Sequence, residues 1–129
     1  MRFTKKWYVG AFIILLAIWI VARWPVFCPI DPDAPVFVYR AGSSMPEPIE
    51  ISREDAKRIV EIISFHYIFK RYGTSDSITV FTITIGEQTF SCNAYFDDLN
   101  DNVHDVNIRI TCGQEDLKDI LMKYTEAYR

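Results

Sequence analysis

The chain has 129 residues, half of them hydrophobic and 24% charged, with a formal net charge of −3. That length holds one ordinary domain, or a small domain with an appendage. Its apolar content excludes general disorder, and five glycines with six prolines exclude a collagen-like or low-complexity chain.

Mean hydropathy, at +0.04, is raised by one segment. Residues Trp7 to Ala22 carry no charge and read WYVGAFIILLAIWIVA, bounded by Lys6 and Arg23. As a helix this run spans about 24 Å, somewhat short of a hydrocarbon layer of about 30 Å. Snorkelling of Lys6 and Arg23, and the apolar character of Trp24, Val26 and Phe27, extend it. Trp7, Tyr8, Trp19 and Trp24 fit aromatic belts at the two ends. A transmembrane signal-anchor over residues 7–24 is therefore expected, after a basic cytoplasmic tail, residues 1–6. Arg2, Lys5 and Lys6 precede the run and only Arg23 follows, which predicts a single-pass protein with its C-terminal part outside the cytoplasm, in the periplasm of a bacterial cell. A cleaved signal peptide is the rival reading, but Ile20 and Ala22 make a poor cleavage site.

Residues 25–35, PVFCPIDPDAP, contain four prolines and predict a semi-rigid linker. From residue 30 onward there are 10 basic and 17 acidic residues. Such a domain repels nucleic acid and anionic lipid, and suits a basic protein partner.

Residues 36–129 predict one α+β domain of order β-α-β-β-β-α. Val36 to Tyr39 reads as an edge strand, and Ile49 and Ile51 as a further short one. Ser52 is placed as the N-cap of the first domain helix, with Asp55 three residues on. Lys70, Arg71 and Gly73 fit its C-terminal end. Ala56, Ile59, Val60, Ile63 and Tyr67 share one face, while Phe65 and Ile68 lie away from it and leave a second apolar side.

An antiparallel meander follows. Ile78–Ile85 alternates, Gly86-Glu87 suits a two-residue turn, and Ile85 then pairs with Gln88, Ile83 with Phe90 and Phe81 with Cys92. Val103–Cys112 is expected as the third strand, with His104 and Cys112 facing the core. A last helix starts near Gly113 and buries Leu117, Ile120, Leu121, Tyr124 and Tyr128. Both helices are expected on one face of the sheet. The other face carries Thr82, Thr84, Thr89, Ser91, Asn93, Tyr95, Asn107, Arg109 and Thr111.

The order helix, meander, helix resembles that of double-stranded RNA-binding domains. In those domains a basic cluster opens the final helix, whereas GQEDLKD here is acidic, so no nucleic-acid partner is implied. Residues 96–105, FDDLNDNVHD, begin like a calcium loop through Asp98, Asn100 and Asn102. Val103 then replaces the required glycine and Arg109 the closing glutamate, so a solvated hairpin tip is expected and no metal. His66 and His104 are the two candidate acid–base groups, but Ser64, Ser91 and the cysteines stand in no recognisable catalytic motif. The sequence predicts no cofactor and no enzyme activity.

Cys28, Cys92 and Cys112 are the disulfide candidates for an oxidising compartment, and any pair leaves one thiol over. Tyr and Arg are favoured interface anchors, which puts the expected partner-binding surface on Asn93, Tyr95, Asn107 and Arg109. Colicin M-type immunity proteins are similar in general plan, an anchor plus a small domain. The expected function is a membrane-held protein-binding module: an immunity or inhibitor protein against an envelope-acting toxin, or else an accessory subunit of an envelope complex.

Overall fold

The computed structural model describes residues 4–27 and 29–128. Helix α1 spans Thr4–Phe27. Consecutive side chains from Phe12 to Ala22 are all exposed, so apolar surface runs right round this helix. Among the described residues, no helix is long and apolar enough to cross a membrane. The transmembrane anchor expected over residues 7–24 is therefore not supported. The physical reason is length, since the uncharged run between Lys6 and Arg23 falls short of the hydrocarbon layer by about 6 Å.

The rest of the chain is an α+β domain with one seven-stranded antiparallel sheet. Its strands are β1 (Val36–Arg40), β2 (Ile49–Glu50), β3 (Arg71–Tyr72), β4 (Phe81–Ile85), β5 (Gln88–Cys92), β6 (Asp98–Asp101) and β7 (Val106–Arg109). They lie in the order β2-β1-β4-β5-β6-β7-β3. Helices α2 (Arg53–Tyr67) and α3 (Gln114–Thr125) bury their apolar faces in the core that covers one side of the sheet. A single 3-10 turn, Glu126–Tyr128, follows α3.

The β4–β5 hairpin has the register the turn chemistry predicts: Phe81 opposite Cys92, Ile83 opposite Phe90 and Ile85 opposite Gln88. Gly86 has φ +59, which a side chain tolerates poorly. The chain is already folded into the domain at Ile30, which is buried in the core. The Pro35 carbonyl accepts from the Gly86 N–H at 3.2 Å, which fastens residues 30–35 to the hairpin.

Four expectations are corrected. First, β1 is an interior strand, because β2 pairs with its far side at Phe37–Glu50 and Val38–Ile49. Second, α2 stops at Tyr67, and Arg71–Tyr72 leaves the helix to pair with Asn107 and Val106. Third, the expected hairpin tip at 96–105 contains strand β6, so the meander has four strands. Asp98, Leu99 and Asp101 pair with Arg109, Ile108 and Val106 across a turn at 102–105. Fourth, His104 and Cys112 are exposed residues rather than core-facing ones. One extra strand shifts both beyond the ends of the buried alternation.

The two domain helices are joined by a polar clamp. The Ser52 side chain caps α2 by accepting from the Asp55 N–H at 3.3 Å. The Tyr124 hydroxyl of α3 donates to Asp55 Oδ2 at 2.6 Å and accepts from the Ser52 N–H at 3.0 Å. Lys123 Nζ lies 2.9 Å from the same carboxylate oxygen. At the start of α3, Gly113 has φ +82, and a Cβ there would meet Ile62 Cγ1 at 3.1 Å. Glycine thus lets the start of α3 rest directly on α2.

The Tyr124 hydroxyl, with Lys123, holds the Asp55 carboxyl below the ordinary carboxylate range. A group depressed in the folded state stabilises above its unfolded pKa of about 3.9, and that contribution fades as pH falls through the folded value. Asp55→Asn is expected to lower stability by about 1 kcal/mol at neutral pH, given that the site is partly open to solvent. In urea titrations the gap between the two proteins should close as pH falls below about 4. A gap that is constant with pH would show that the charge of Asp55 contributes nothing.

Candidate functional site

The sheet face away from the helices was the expected partner surface. The loop after β3 crosses part of it. Ser75 Oγ and Ser77 Oγ each donate to Asp98 Oδ2 at 2.6 Å, and the Ser75 N–H donates to Asn100 Oδ1 at 3.1 Å. Asn107 donates from Nδ2 to Asp98, to the Leu99 carbonyl and to Asn100 Oδ1. Burial pushes the Asp98 carboxyl up, but the bonds from Ser75, Ser77 and Asn107 outweigh it and leave it below the ordinary range.

Asn107 is therefore spent inside the fold. Asn93 is spent likewise: Nδ2 donates to Asp97 at 2.7 Å, and Oδ1 accepts from the N–H groups of Asp97 and Asp98. It closes the turn between β5 and β6. Only Tyr95, 80% exposed, and Arg109 present their side chains outward from the expected set of four. The structure thus separates this set into two structural asparagines and two available anchors.

A second constellation lies at the end of β6. Asp101 is fully buried, and its Oδ2 accepts from the Tyr67 hydroxyl at 2.7 Å and from Gln88 Nε2 at 3.3 Å. The same oxygen lies 2.8 Å from His104 Nδ1, while Oδ1 accepts from the N–H groups of Val103 and His104. Asp105 at φ +53 turns the chain after His104 into β7. His104 is 42% exposed and borders an open cleft with Asp31, Glu87, Gln88 and Val103. With Nδ1–H held by Asp101, the neutral ring keeps Nε2 as its basic nitrogen. Chemically this is an oriented base at an open cleft. Among the described residues, no serine or cysteine is hydrogen-bonded to His104. A base there would have to work on water or on a bound ligand.

His66 is occupied. Its Nδ1–H donates to the Ile62 carbonyl at 2.7 Å. Its Nε2 accepts from the N–H groups of Thr111 and Cys112 at 3.0 and 3.2 Å. It is a buried histidine that stitches α2 to the approach of α3. The two histidines belong to separate places, since one faces Asp101 and the other Thr111.

Cys92 and Cys112 are free thiols, one buried and one exposed. The expected option of a Cys92–Cys112 bridge fails because β6 intervenes and Cys112 lies beyond the end of β7. Cys92 lies opposite Leu99, and Leu99 opposite Ile108. Cys28 lies outside the described residues. Burial pushes the Cys92 thiol up to about 12, with Asp97 and Asp98 adding to the effect.

The Asp101–His104 pair was missed as a pair from sequence. The available signal was the D-x-x-H spacing, which a tight turn can close into contact. Among the described residues, no group of three or more His, Cys, Asp or Glu side chains could hold a metal ion. Compared with protein-family models, with curated proteins and with solved structures, the chain matches none.

The thiols give a direct check. Alkylation of the native protein by iodoacetamide should modify Cys112 at least tenfold faster than Cys92, since burial shields the Cys92 thiol and keeps it protonated. Equal rates, read by peptide mass, would contradict the packing of Cys92 in the sheet.

Proposed function

We propose that the protein is a membrane-tethered, extracytoplasmic module that binds another protein. The observation that carries this reading is α1. A helix that is apolar on every side is covered in its working state, by lipid or by other helices. The domain's excess of acidic residues favours a basic partner and speeds its capture. Tyr95 and Arg109 are the anchors we assign to that contact. An immunity or inhibitor role against an envelope-acting toxin fits this arrangement. A role as accessory subunit of an envelope complex fits it as well, with α1 packed against other membrane helices.

The oriented His104 supports a second reading, a small hydrolase with His104 as general base and Asp101 as its positioning residue. A purified full chain that cleaves ester, peptide or glycan substrates, and loses that activity in His104→Ala, would establish it.

The binding reading is tested by crosslinking the full-length protein in native membranes and identifying its partners. The protein should fractionate with membranes, and external protease should digest the domain. One basic protein should be captured specifically, and Tyr95→Ala combined with Arg109→Glu should cut capture by about tenfold or more. Capture of membrane subunits that is insensitive to those two changes would favour the assembly role. A protein found entirely in the soluble fraction would end the tethered reading.

A further inference from the structure

Helices α2 and α3 run antiparallel and are joined at both ends. At one end Ser52 and Asp55 meet Lys123 and Tyr124. At the other stands His66, 4% exposed, which takes no part in the His104 cleft. The contacts of its ring fix its protonation state. Nδ1 lies 2.7 Å from the Ile62 carbonyl, which can only accept, so Nδ1 carries the proton. Nε2 lies 3.0 and 3.2 Å from the Thr111 and Cys112 nitrogens, whose N–H groups can only donate, so Nε2 offers its lone pair. This setting accepts the neutral ring alone.

Protonation adds a hydrogen to Nε2, aimed at two N–H groups that already point to it. A donor then faces donors, both bonds are lost, and a positive charge is left buried. The charged and titratable groups around the ring do not offset this. From α2, Arg58 and Glu61 line the same depression as His66 and pair with each other at 3.3 Å. From α3, Asp116 pairs with Arg58 at 2.7 Å. From the junction between β7 and α3, the Cys112 thiol lies 3.7 Å from Nε2. Both carboxylates are thus turned to Arg58, and among the described residues none contacts the ring.

We propose that His66 is an acid-sensitive latch that holds residues 111–113 to α2. Above about pH 6.5, the ordinary value for histidine, the neutral ring keeps the Thr111 and Cys112 N–H groups on α2. A group held in its neutral form stabilises the closed junction while it is neutral, and that contribution is lost as pH falls. Acidification therefore lifts the start of α3 from α2 and widens the depression lined by Ile62, Phe65 and Cys112. The released stretch is short, because the Ile110 N–H stays bonded to the Asp97 carbonyl at 2.8 Å. The far end of the helix pair stays fastened, since the Asp55 clamp lets go only below about pH 4. Between the two values α3 is held at one end only.

The test is hydrogen exchange on the full chain in mild detergent, with each rate corrected for the intrinsic pH dependence of amide exchange. Protection of the Thr111 and Cys112 amides should fall by about fivefold or more between about pH 7 and about pH 5.5, since one proton shifts an opening equilibrium by up to about tenfold per pH unit. The Ser52 amide, bonded to the Tyr124 hydroxyl, should keep its protection over that range. His66→Gln supplies an acceptor that does not titrate, and should make protection at Thr111 and Cys112 independent of pH. In the unaltered chain, the His66 ring signals in NMR should titrate over the range in which those two amides open, a comparison that stands even if the variant folds poorly. Protection that stays constant down to about pH 5.5 overturns the latch. So does an opening that persists in His66→Gln, or one that follows the ring of His104 instead.

Discussion

The carboxylate of Asp101 carries a large share of the domain's organisation. It sits wholly inside the protein and accepts hydrogen bonds from the Tyr67 hydroxyl on α2, from Gln88 on β5, and from His104 and two backbone N–H groups of the 102–105 turn. A buried carboxylate without such donors costs several kcal/mol. The donors therefore have to arrive together, and they come from a helix, a strand and a turn far apart in sequence. The placement of α2 on the sheet, the pairing of β5 with β6, and the return of β7 are all compatible with one position of this one group. Oriented polar networks of this kind favour a single packed arrangement over slipped alternatives. The same requirement fixes the ring of His104, so this oriented base beside the open cleft is a by-product of how the sheet is held.

Local signals made part of the fold legible. The β4–β5 hairpin follows from alternation and one glycine, and its register follows from the turn. The start of α2 follows from Ser52 and Asp55, and the start of α3 from Gly113 and the acids after it. Each signal lies within a few residues of the structure it specifies. Strand β6 carries no such signal. Asp98, Asn100 and Asp101 are poor strand formers, and their composition reads as a loop. They are held in the sheet by partners outside the segment: Ser75, Ser77 and Asn107 on one face, Tyr67 and Gln88 on the other. Strand β3 is hidden in the opposite way, since Lys70, Arg71 and Gly73 suit a helix end so well that a two-residue edge strand leaves no separate trace.

The candidate binding surface shows the same limit. Alternation places Asn93, Tyr95, Asn107 and Arg109 on one face, but β5 ends at Cys92, so Asn93 and Tyr95 stand in the turn before β6. Which of them are available depends on whether their polar atoms are already satisfied, and this is set by strand β6 and the turn before it, which engage both asparagines. Sequence alternation assigns a side; it does not assign a partner. The disulfide question turned on the same missing strand. Cys92 and Cys112 look like neighbours only until β6 is inserted between them.

The burial of Ile30 has a consequence for reach. Helix α1 ends at Phe27, and only three covalent steps separate that residue from one embedded in the domain core. Three Cα–Cα steps span at most about 11 Å. Whatever grips the helix therefore grips the domain almost directly, with no slack to swing outward and sample distant molecules. A body on so short a leash meets its targets by their arrival. Its orientation about the helix end then decides which of its faces they encounter.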